Sequence, residues 1–361
     1  MIEYHPDDQA TRRAWVDVDL DALVTNAGSY QRRVGVPILP MVKANGYGLG
    51  AVAVARALLG PDTWGFGVAT IDEGIELRQA GIDVPVLVFA PLHPSQLRWY
   101  LEHDLRPAIG DVAALEAWLA AGNSPFHVEF DTGMHRTGFA LEPDLLAVVA
   151  PMLRSAAGFE GVFGHFHSAG HDDPATESQW RALNDVIATI GVRPRFVHSS
   201  NSPGGGYGPR FAGDLARPGI HLYGGRVPGL ESRTVATVRA RVTATRRVAG
   251  GEGVGYDHTW RAPHPTTIAT IAIGYADGIP PRLANVGEIE LAGERVPIAG
   301  VVSMDQLMVD VGDLVVSPGD VATYFGGLIS LDEQAARAGA NPYQILTALG
   351  TRLPRRYHRG T

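Results

Sequence analysis

One lysine stands where an apolar segment meets a turn rich in glycine and asparagine. The segment reads VPILPMVKANGYGLG over residues 36–50, and Lys43 is its cation. A lysine held beside apolar strands loses solvation, which lowers the pKa of its amine and frees it to act as a nucleophile or base. Such a lysine is suited to forming a Schiff base with an aldehyde cofactor.

Two glycine-containing loops later in the chain are candidates for binding the phosphate of such a cofactor. The loop SSNSPGGGYG, residues 199–208, offers Ser202 and a run of glycines, and RPGI, residues 217–220, offers backbone amides around Gly219. Glycines, backbone N–H groups and hydroxyls at strand ends are the groups that best hold a phosphate. If the aldehyde is pyridoxal phosphate, the chain must supply such a phosphate site, and these two loops fit that requirement.

Short apolar runs alternate with helix-like segments between about residues 36 and 225, as in repeated βα units. There are eight such runs, and several of the segments between them open with Asp, Glu or Pro and close with Gly, as helices do. Eight parallel strands, each followed by a helix, predict a (β/α)8 TIM-type barrel, whose chemistry lies at the carboxyl ends of the strands. The polar residues at or just after those ends are Lys43, Asp131, His165, His167, Ser199, Asn201 and Arg217.

The pattern changes after about residue 235. Runs of β-branched residues with a period of two, separated by glycine turns, predict a mostly antiparallel β domain whose longest helix is SLDEQAARAG. We therefore predict a cofactor-binding barrel over residues 14–235 and a C-terminal β domain over 236–361, with residues 1–13 as a candidate to pack on the latter. No linker rich in Pro or Ser separates the two, so we expect them to pack against each other.

Composition excludes several classes of protein. Thirty Lys and Arg face 38 Asp and Glu, a net charge of −8, so we expect neither nucleic acid nor an anionic membrane as a partner. The N-terminal residues lack a signal-peptide pattern and no apolar run reaches the length of a membrane span, which favours a cytoplasmic protein. Without cysteine there is no disulfide and no cysteine nucleophile, and His165 and His167 have no further ligands nearby, so we expect no metal.

A series of motifs resembles those of alanine racemases, in the same order along nearly the whole chain. The cofactor-lysine motif is VKANGYGLG, and the others are DTGMHRTGF, GHFHSAG, VHSSNS, ARPGIHLYG, GVGYDHTW, AIGYADG and GVVSMDQLMVDV. The resemblance implies an isomerase that uses pyridoxal 5'-phosphate to interconvert L- and D-alanine. It also implies a head-to-tail homodimer, in which each active site joins one barrel with the β domain of the partner.

The resemblance implies one base on each face of the substrate. Lys43 is implied to carry the cofactor and to act on one face, and Tyr256, delivered by the second subunit, on the other. Two bases suit a racemase, because a proton must leave one face of Cα and another must return to the opposite face. Phosphate contacts are implied for Tyr47, Ser202, Gly219 and Ile220.

Further roles follow from the same resemblance. Arg217 is implied to face the pyridine nitrogen, His165 to link that arginine to the tyrosine, and His198 to support it. A guanidinium does not hand over its proton, so the ring is a weaker electron sink and side reactions are limited. The substrate-binding residues implied are Arg136, which also bonds the cofactor's phenolic oxygen, Met304 and Asp305 from the partner, and Tyr275 at the entrance.

The sequence departs from the family at two positions. Glu129 stands where many alanine racemases have a lysine that becomes carbamylated, so we predict no carbamate and an ion pair between Glu129 and Arg136. Thr351 stands where the family usually has a tyrosine that contacts the phosphate and narrows the pocket. The smaller residue predicts room for side chains larger than that of alanine, serine first.

Three alternatives remain beside the alanine racemase. A racemase of serine or of a broader set of small amino acids fits the smaller Thr351. A regulatory protein that binds pyridoxal phosphate without turnover resembles the barrel alone, which the second domain argues against. Amino-acid decarboxylases with the same cofactor and domains rely on a cysteine from the partner, and this chain has none.

Overall fold

A computed structural model gives the structure of residues 12–359, with parallel strands in the first part of the chain and mostly antiparallel strands in the second. The strands are β1 (Ala14–Asp19), β2 (Phe66–Val68), β3 (Val86–Pro91), β4 (Arg106–Ile109), β5 (Phe126–Glu129), β6 (Phe159–Phe163), β7 (Phe196–His198), β8 (Ala236–Val248), β9 (Gly253–Val254), β10 (Trp260–Arg261), β11 (Thr266–Ile271), β12 (Glu288–Leu291), β13 (Glu294–Pro297), β14 (Leu307–Gly312), β15 (Val321–Phe325) and β16 (Arg355–His358). The helices are α1 (Leu20–Val34), α2 (Lys43–Tyr47), α3 (Ala51–Leu58), α4 (Ile71–Gln79), α5 (Leu97–Glu102), α6 (Val112–Ala121), α7 (Pro143–Ser155), α8 (Asp173–Ile190), α9 (Ser202–Gly205), α10 (Leu331–Arg337) and α11 (Pro342–Thr347).

The parallel strands β2 to β7 form one sheet, and extended segments on either side close it into a barrel. Ile38 forms parallel bridges both to Thr63, just before β2, and to Ala216, after β7. The amide of Leu39 donates to the carbonyl of Ala216 at 2.8 Å, which ties the two closing segments together. The predicted barrel is therefore confirmed.

The prediction that the first and eighth segments are regular strands is wrong. Only isolated bridges and single hydrogen bonds hold these two segments in the barrel. Proline has no amide hydrogen and cannot donate to a ladder. In the first segment, Pro37 and Pro40 stand on either side of the pair Ile38 and Leu39, and in the eighth, Pro218 lies two residues after Ala216. These segments consequently place residues at the barrel mouth without forming continuous ladders.

Helices α3 to α8 lie in the six segments that the sequence predicts as helical. The sequence pattern predicts a helical segment ESQWRALNDVIATIG that begins at Glu177, but α8 begins at Asp173, because the Asp172 carboxylate caps its first turn. Helix α1 is not among the predicted helices, although Asp19 caps its start and Gly35 closes its end with a φ of 74°. The barrel wall thus has one more helix before its first segment than the sequence predicts.

Strand β8 organises the second part of the chain. Its first half pairs with β1 and β15, and its second half pairs with β11, which in turn pairs with β14. These pairings are antiparallel, as predicted, whereas β1 and β16 pair in parallel. The sequence assigns residues 14–19 to the barrel, but the structure has them as β1 in the C-terminal sheet, because β8 and β16 supply their hydrogen-bond partners.

One apolar core runs through both parts of the chain, with buried side chains from β1, the barrel strands and β8 in a single cluster. Arg13 also packs on the second part, since its backbone carbonyl accepts from the amide of Arg241 at 2.8 Å. The predicted packing of residues 1–13 lies otherwise outside the described residues. Within residues 12–359, none of the helices has both the length and the apolar character needed to cross a membrane.

Candidate active site

Lys43 begins α2 directly after the first closing segment of the barrel, and the rest of this short element is a left-handed turn rather than a regular α-helix. Residues 44 to 47 have φ values between 52° and 60°, and only one of them, Gly46, is a glycine. The left-handed conformation costs a residue with a Cβ roughly 1–2 kcal/mol, so neighbouring groups must hold it. The Glu73 carboxylate does so, accepting from the amides of Ala44 and Ala69 at 2.7 Å each.

A cavity of about 150 Å³ lies at the mouth of the barrel. The predicted site residues that line it are Lys43, Tyr47, Arg136, His165, Ser202, Arg217 and Gly219. Met41, Phe89, Asn201 and Tyr343 complete the wall. A second, wider cavity of about 1100 Å³ shares His165, Asn201 and Tyr343 with the first and includes Ile220, so the small cavity opens into a broad cleft.

The amine of Lys43 lies among groups that favour its neutral form. Burial lowers the pKa of Lys43 most, and the positive charges of Arg136 and Arg217 lower it further. The Glu73 carboxylate partly opposes this shift. A lysine with a lowered pKa is a competent nucleophile toward an aldehyde and, once free, a competent base.

Two loops form a polar corner beside Lys43. The buried Ser202 hydroxyl accepts from the amide of Gly219 at 2.7 Å and from that of His221 at 3.3 Å. The Tyr47 hydroxyl lies so close to Gly219 that a Cβ there would sit well inside 3.0 Å of it. Backbone amides, a serine hydroxyl and a tyrosine hydroxyl are therefore gathered where no side chain fills the space, as a phosphate requires.

Arg217 is buried at the base of the cavity and is held entirely by neutral groups. It donates to the carbonyls of His198 at 2.7 Å and Gly164 at 2.8 Å, and to the imidazole Nδ1 of His198. Its distance to His165 Nδ1 is 3.4 Å. Burial lowers the pKa of Arg217 to about 10, so it remains a cation at neutral pH.

The two histidines beside Arg217 are neutral. Burial, followed by the charge of Arg217, lowers the pKa of His165 to about 3 and that of His198 well below its usual value. Because a guanidinium can only donate, the Nδ1 atom of each imidazole must accept. The Nε2 atom of His165 then carries the hydrogen and is left to donate to another group.

The predicted ion pair between Glu129 and Arg136 is wrong as a direct contact, since the salt bridges of residues 12–359 do not include it. Glu129 is buried at the end of β5, whereas Arg136 is exposed in the following loop. Burial raises the pKa of Glu129, and Thr137, Arg217 and Arg136 counteract that rise. The carboxylate therefore acts on the site through its charge rather than through a contact with Arg136.

The remaining predicted residues lie away from the cavity of their own chain. Tyr256 follows β9 and is 71% exposed, and Met304 and Tyr275 are 52% and 44% exposed. Asp305 pairs with Arg352 at 2.6 Å. None of these four belongs to the wall around Lys43, and neither does the exposed Thr351.

Three wall residues are not predicted from the sequence, the apolar Met41 and Phe89 and the aromatic Tyr343. Tyr343 is the one that comes from the second part of the chain. It lies in α11, and its ring centroid is 5.9 Å from that of Tyr47. No local pattern marks it, because its neighbours in the cavity lie far away in sequence. The predicted absence of a metal site is not contradicted, because residues 12–359 contain no cluster of His, Asp and Glu able to hold one.

Comparisons with known proteins agree with this arrangement. The model of the alanine racemase N-terminal domain matches residues 18–227, and that of the C-terminal domain matches residues 235–357. An alanine racemase of Salinispora tropica is 37% identical, with 96% of this chain and 98% of that protein covered. One of Nostoc is 34% identical, with 96% of each covered.

Solved structures give the same result. The alanine racemase of Streptomyces coelicolor has a TM-score of 0.91 at 30% identity, covering 97% of this chain and 99% of the other. That of Bartonella henselae, solved with covalently bound pyridoxal phosphate, has a TM-score of 0.89 at 30% identity, covering 96% and 100%. With both of its domains matched and its cavity built around a lysine at the barrel mouth, this chain belongs to the alanine racemase family.

Proposed function

We propose that this chain interconverts L- and D-alanine with pyridoxal 5'-phosphate bound at Lys43. The observation that carries the proposal is the cavity in which Lys43, Arg217 and the corner of Ser202 and Gly219 face one space. Its full-length relatives that bear the name alanine racemase support alanine as the substrate. Bound there, pyridoxal phosphate supplies the electron withdrawal that makes the Cα proton of the amino acid acidic.

The residues around the cavity fit this cofactor. The lowered pKa of Lys43 favours its reaction with an aldehyde. The amides near Gly219, together with Ser202 and Tyr47, would hold the phosphate. Arg217 would face the ring nitrogen, since it is the cation at the base of the cavity.

Two side chains would then move protons on opposite faces of the substrate. Lys43, with its lowered pKa, would take or return the proton on the cofactor side. Tyr256 would serve the other face, where Nε2 of the neutral His165 would donate a hydrogen bond to its oxygen. Arg136, at the rim of the cavity, would bind the substrate carboxylate.

A homodimer would bring Tyr256 to the cavity. This tyrosine is exposed in its own chain, and the cavity around Lys43 opens into a wide cleft that a partner's β domain can cover. Met304, Asp305 and Tyr275 would enter with it, since Tyr275 and the segment of Ser303 and Met304 are joined by backbone hydrogen bonds. Each active site would then contain residues of both subunits.

Serine as the preferred substrate has less support. That alternative depends on extra room beside Thr351, which is exposed and outside the wall around Lys43. Tyr343 lies at the wall instead. A regulatory protein without turnover is also disfavoured, because the relatives named alanine racemase match both domains.

The first experiment measures cofactor binding and racemisation together. The purified protein is loaded with pyridoxal phosphate, its visible absorption is recorded, and the loss of optical activity is followed for L-alanine, D-alanine and L-serine. We expect a visible band and turnover of both alanine enantiomers, with Lys43→Ala lacking both. A visible band without turnover of alanine would overturn the proposal.

The shared site is tested by mixing two inactive variants. Lys43→Ala and Tyr256→Phe are each expected to be inactive as homodimers. In a mixed dimer, one of the two sites would contain both Lys43 and Tyr256, so unfolding and refolding the mixture should restore about a quarter of the wild-type activity. If the mixture stays as inactive as its components, Tyr256 does not act from the partner.

A further inference from the structure

A row of buried polar side chains continues from Arg217 through the barrel interior, away from the cavity. His198 Nε2 lies 2.8 Å from His127 Nδ1. His127 Nε2 in turn lies 3.4 Å from a Glu160 carboxylate oxygen, which accepts from Arg106 at 2.8 Å. Four side chains therefore follow Arg217 in an unbroken sequence of polar contacts.

The row crosses from one end of the barrel to the other. His198 is the last residue of β7, at the carboxyl end of the strands, where the cavity lies. Arg106 is the first residue of β4, and His127 and Glu160 are the second residues of β5 and β6. The carboxylate at the far end is therefore connected to the base of the active site through two imidazoles.

Hydrogen-bond donors and acceptors along the row permit one direction only. Arg217 can only donate, so Nδ1 of His198 accepts and its Nε2 carries the hydrogen. His127 Nδ1 must then accept from His198, which leaves the hydrogen of His127 on Nε2, facing Glu160. This Nε2 is fully buried and forms no hydrogen bond of ordinary geometry with the described residues, and the Glu160 carboxylate, 3.4 Å away, is the acceptor that it faces.

A glycine and an aromatic ring of nearby strands leave room for the imidazole of His127 inside the barrel. His127 crosses Gly161 of β6, where a Cβ would lie 2.8 Å or less from three of its ring atoms. Its ring also stacks on Phe196, with centroids 6.2 Å apart. Glycine weakens a strand, so its presence at this position indicates that room for the imidazole is required.

Arg217 has no anion among its hydrogen-bond partners within residues 12–359, although the charge of the buried Glu129 carboxylate favours its cationic form. Its hydrogen-bond partners in the described chain are carbonyl oxygens and imidazole nitrogens. A buried cation with neutral partners is stabilised when those partners are themselves polarised by an anion further along the chain of hydrogen bonds. Glu160 is the anion at the end of this row.

We propose that His127 and Glu160 are positioning residues, which hold the imidazole of His198, and through it the guanidinium of Arg217, in its orientation toward the cofactor ring. The inference rests on the proposed function for the part that concerns catalysis. The direction of the row stands on the geometry of this chain alone. Neither side chain touches the cavity, so their effect must pass through His198.

Two variants break the row in different ways. Glu160→Gln keeps the shape of the side chain and removes its charge, and His127→Phe keeps an aromatic ring and removes both nitrogens. We expect each to lower kcat for alanine about 10-fold with KM changed less than about twofold, because misorientation of Arg217 affects the reacting complex more than substrate binding. Glu177→Gln is the matched control, since Glu177 pairs with Arg210 at 2.5 Å on the barrel surface, apart from the row.

The double variant tests whether Glu160 acts through His127. If it does, Glu160→Gln/His127→Phe lowers kcat no further than His127→Phe alone. Effects that multiply would overturn the proposal. So would a Glu160→Gln protein with a lower unfolding midpoint but wild-type kcat and visible cofactor absorption, because the residue would then serve the fold only.

A spectroscopic measurement separates this proposal from the proposed function. Selective isotope labelling of histidine and long-range nitrogen–proton correlation spectra of the cofactor-loaded protein report which ring nitrogen carries the hydrogen. We expect His127 and His198, assigned by His127→Phe, both to be neutral with the hydrogen on Nε2. The opposite tautomer or a charged imidazole at either position would overturn the row even in an active racemase, whereas lack of alanine turnover would overturn only the proposed function.

Discussion

Replacing Gly219 by alanine tests how tightly the phosphate corner is built. The new Cβ would lie well inside 3.0 Å of the Tyr47 hydroxyl oxygen, a separation that real Cβ atoms essentially never show, and 3.0 Å from the carbon that bears it, which is also a tight contact. Gly219 does not have a positive φ, so the cost is steric and not conformational. Either the tyrosine ring or the backbone of the loop must move.

The size of the effect follows from what holds Tyr47 in place. Its ring is 5% exposed and stacks on Tyr223, with centroids 4.4 Å apart, so it has little room to retreat. Overpacking a buried site costs about 1–3 kcal/mol. If this cost falls on the cofactor-bound state, the dissociation constant of pyridoxal phosphate rises about 5- to 150-fold.

The assay is a titration of the apoprotein with pyridoxal phosphate, followed by visible absorption, for wild type and Gly219→Ala. Tyr47→Phe removes the blocking oxygen, so the double variant should lose less affinity than the two single losses added together. Gly60→Ala is the control, because a Cβ there has no atom within 4 Å. Wild-type affinity in Gly219→Ala, or strictly additive losses in the double variant, would refute this account of the corner.

Three further predictions concern stability. Asp277→Asn removes the counter-charge of Arg13, which donates to the buried carboxylate at 2.5 and 3.0 Å; thermal unfolding should show a loss of about 1–3 kcal/mol, and an unchanged midpoint would contradict this. One oxygen of the Glu73 carboxylate accepts from the amide of Ala44 in the left-handed turn and the other from the amide of Ala69. Glu73→Gln replaces one of these two acceptors and should lower the free energy of unfolding in urea by about 1 kcal/mol; no change would mean that the turn is held by other groups. Burial lowers the pKa values of His165 and His198, so the unfolded chain binds protons that the folded chain does not. Stability should be complete above about pH 6.5 and fall below it by a slope that approaches about 1.4 kcal/mol per pH unit for each histidine, and a flat urea midpoint from pH 7 to about pH 5.5 would refute this.

The sequence predicts most of the residues that line the cavity. Lys43, Ser202 and Arg217 could be located because parallel strands bring the residues at their carboxyl ends to one place. Tyr343 could not, because it reaches the same wall from α11 in the second part of the chain, and only the packing of the two parts brings it there. Periodicity describes each element but not how distant elements meet.

Two differences have local physical causes. The predicted contact of Glu129 with Arg136 fails because the carboxylate is buried at a strand end while the arginine extends from the next loop. The prediction of a regular first strand fails because Pro37 and Pro40 have no amide hydrogen to donate to a neighbouring strand. In both cases the residue types are correctly recognised, and the backbone direction or hydrogen bonding decides the outcome.

The neighbours of β1 have a consequence for how the chain is made. This strand precedes the barrel in the chain, yet its partners are β8, which follows the whole barrel, and β16, in which Arg356 pairs with Asp17. In the sequence, the barrel is thus inserted between β1 and β8, which are neighbours in the other sheet. Non-local pairing of this kind delays folding. During synthesis β1 must wait with unpaired edges until β8 and β16 emerge, and the barrel is the part that can form before the sheet closes.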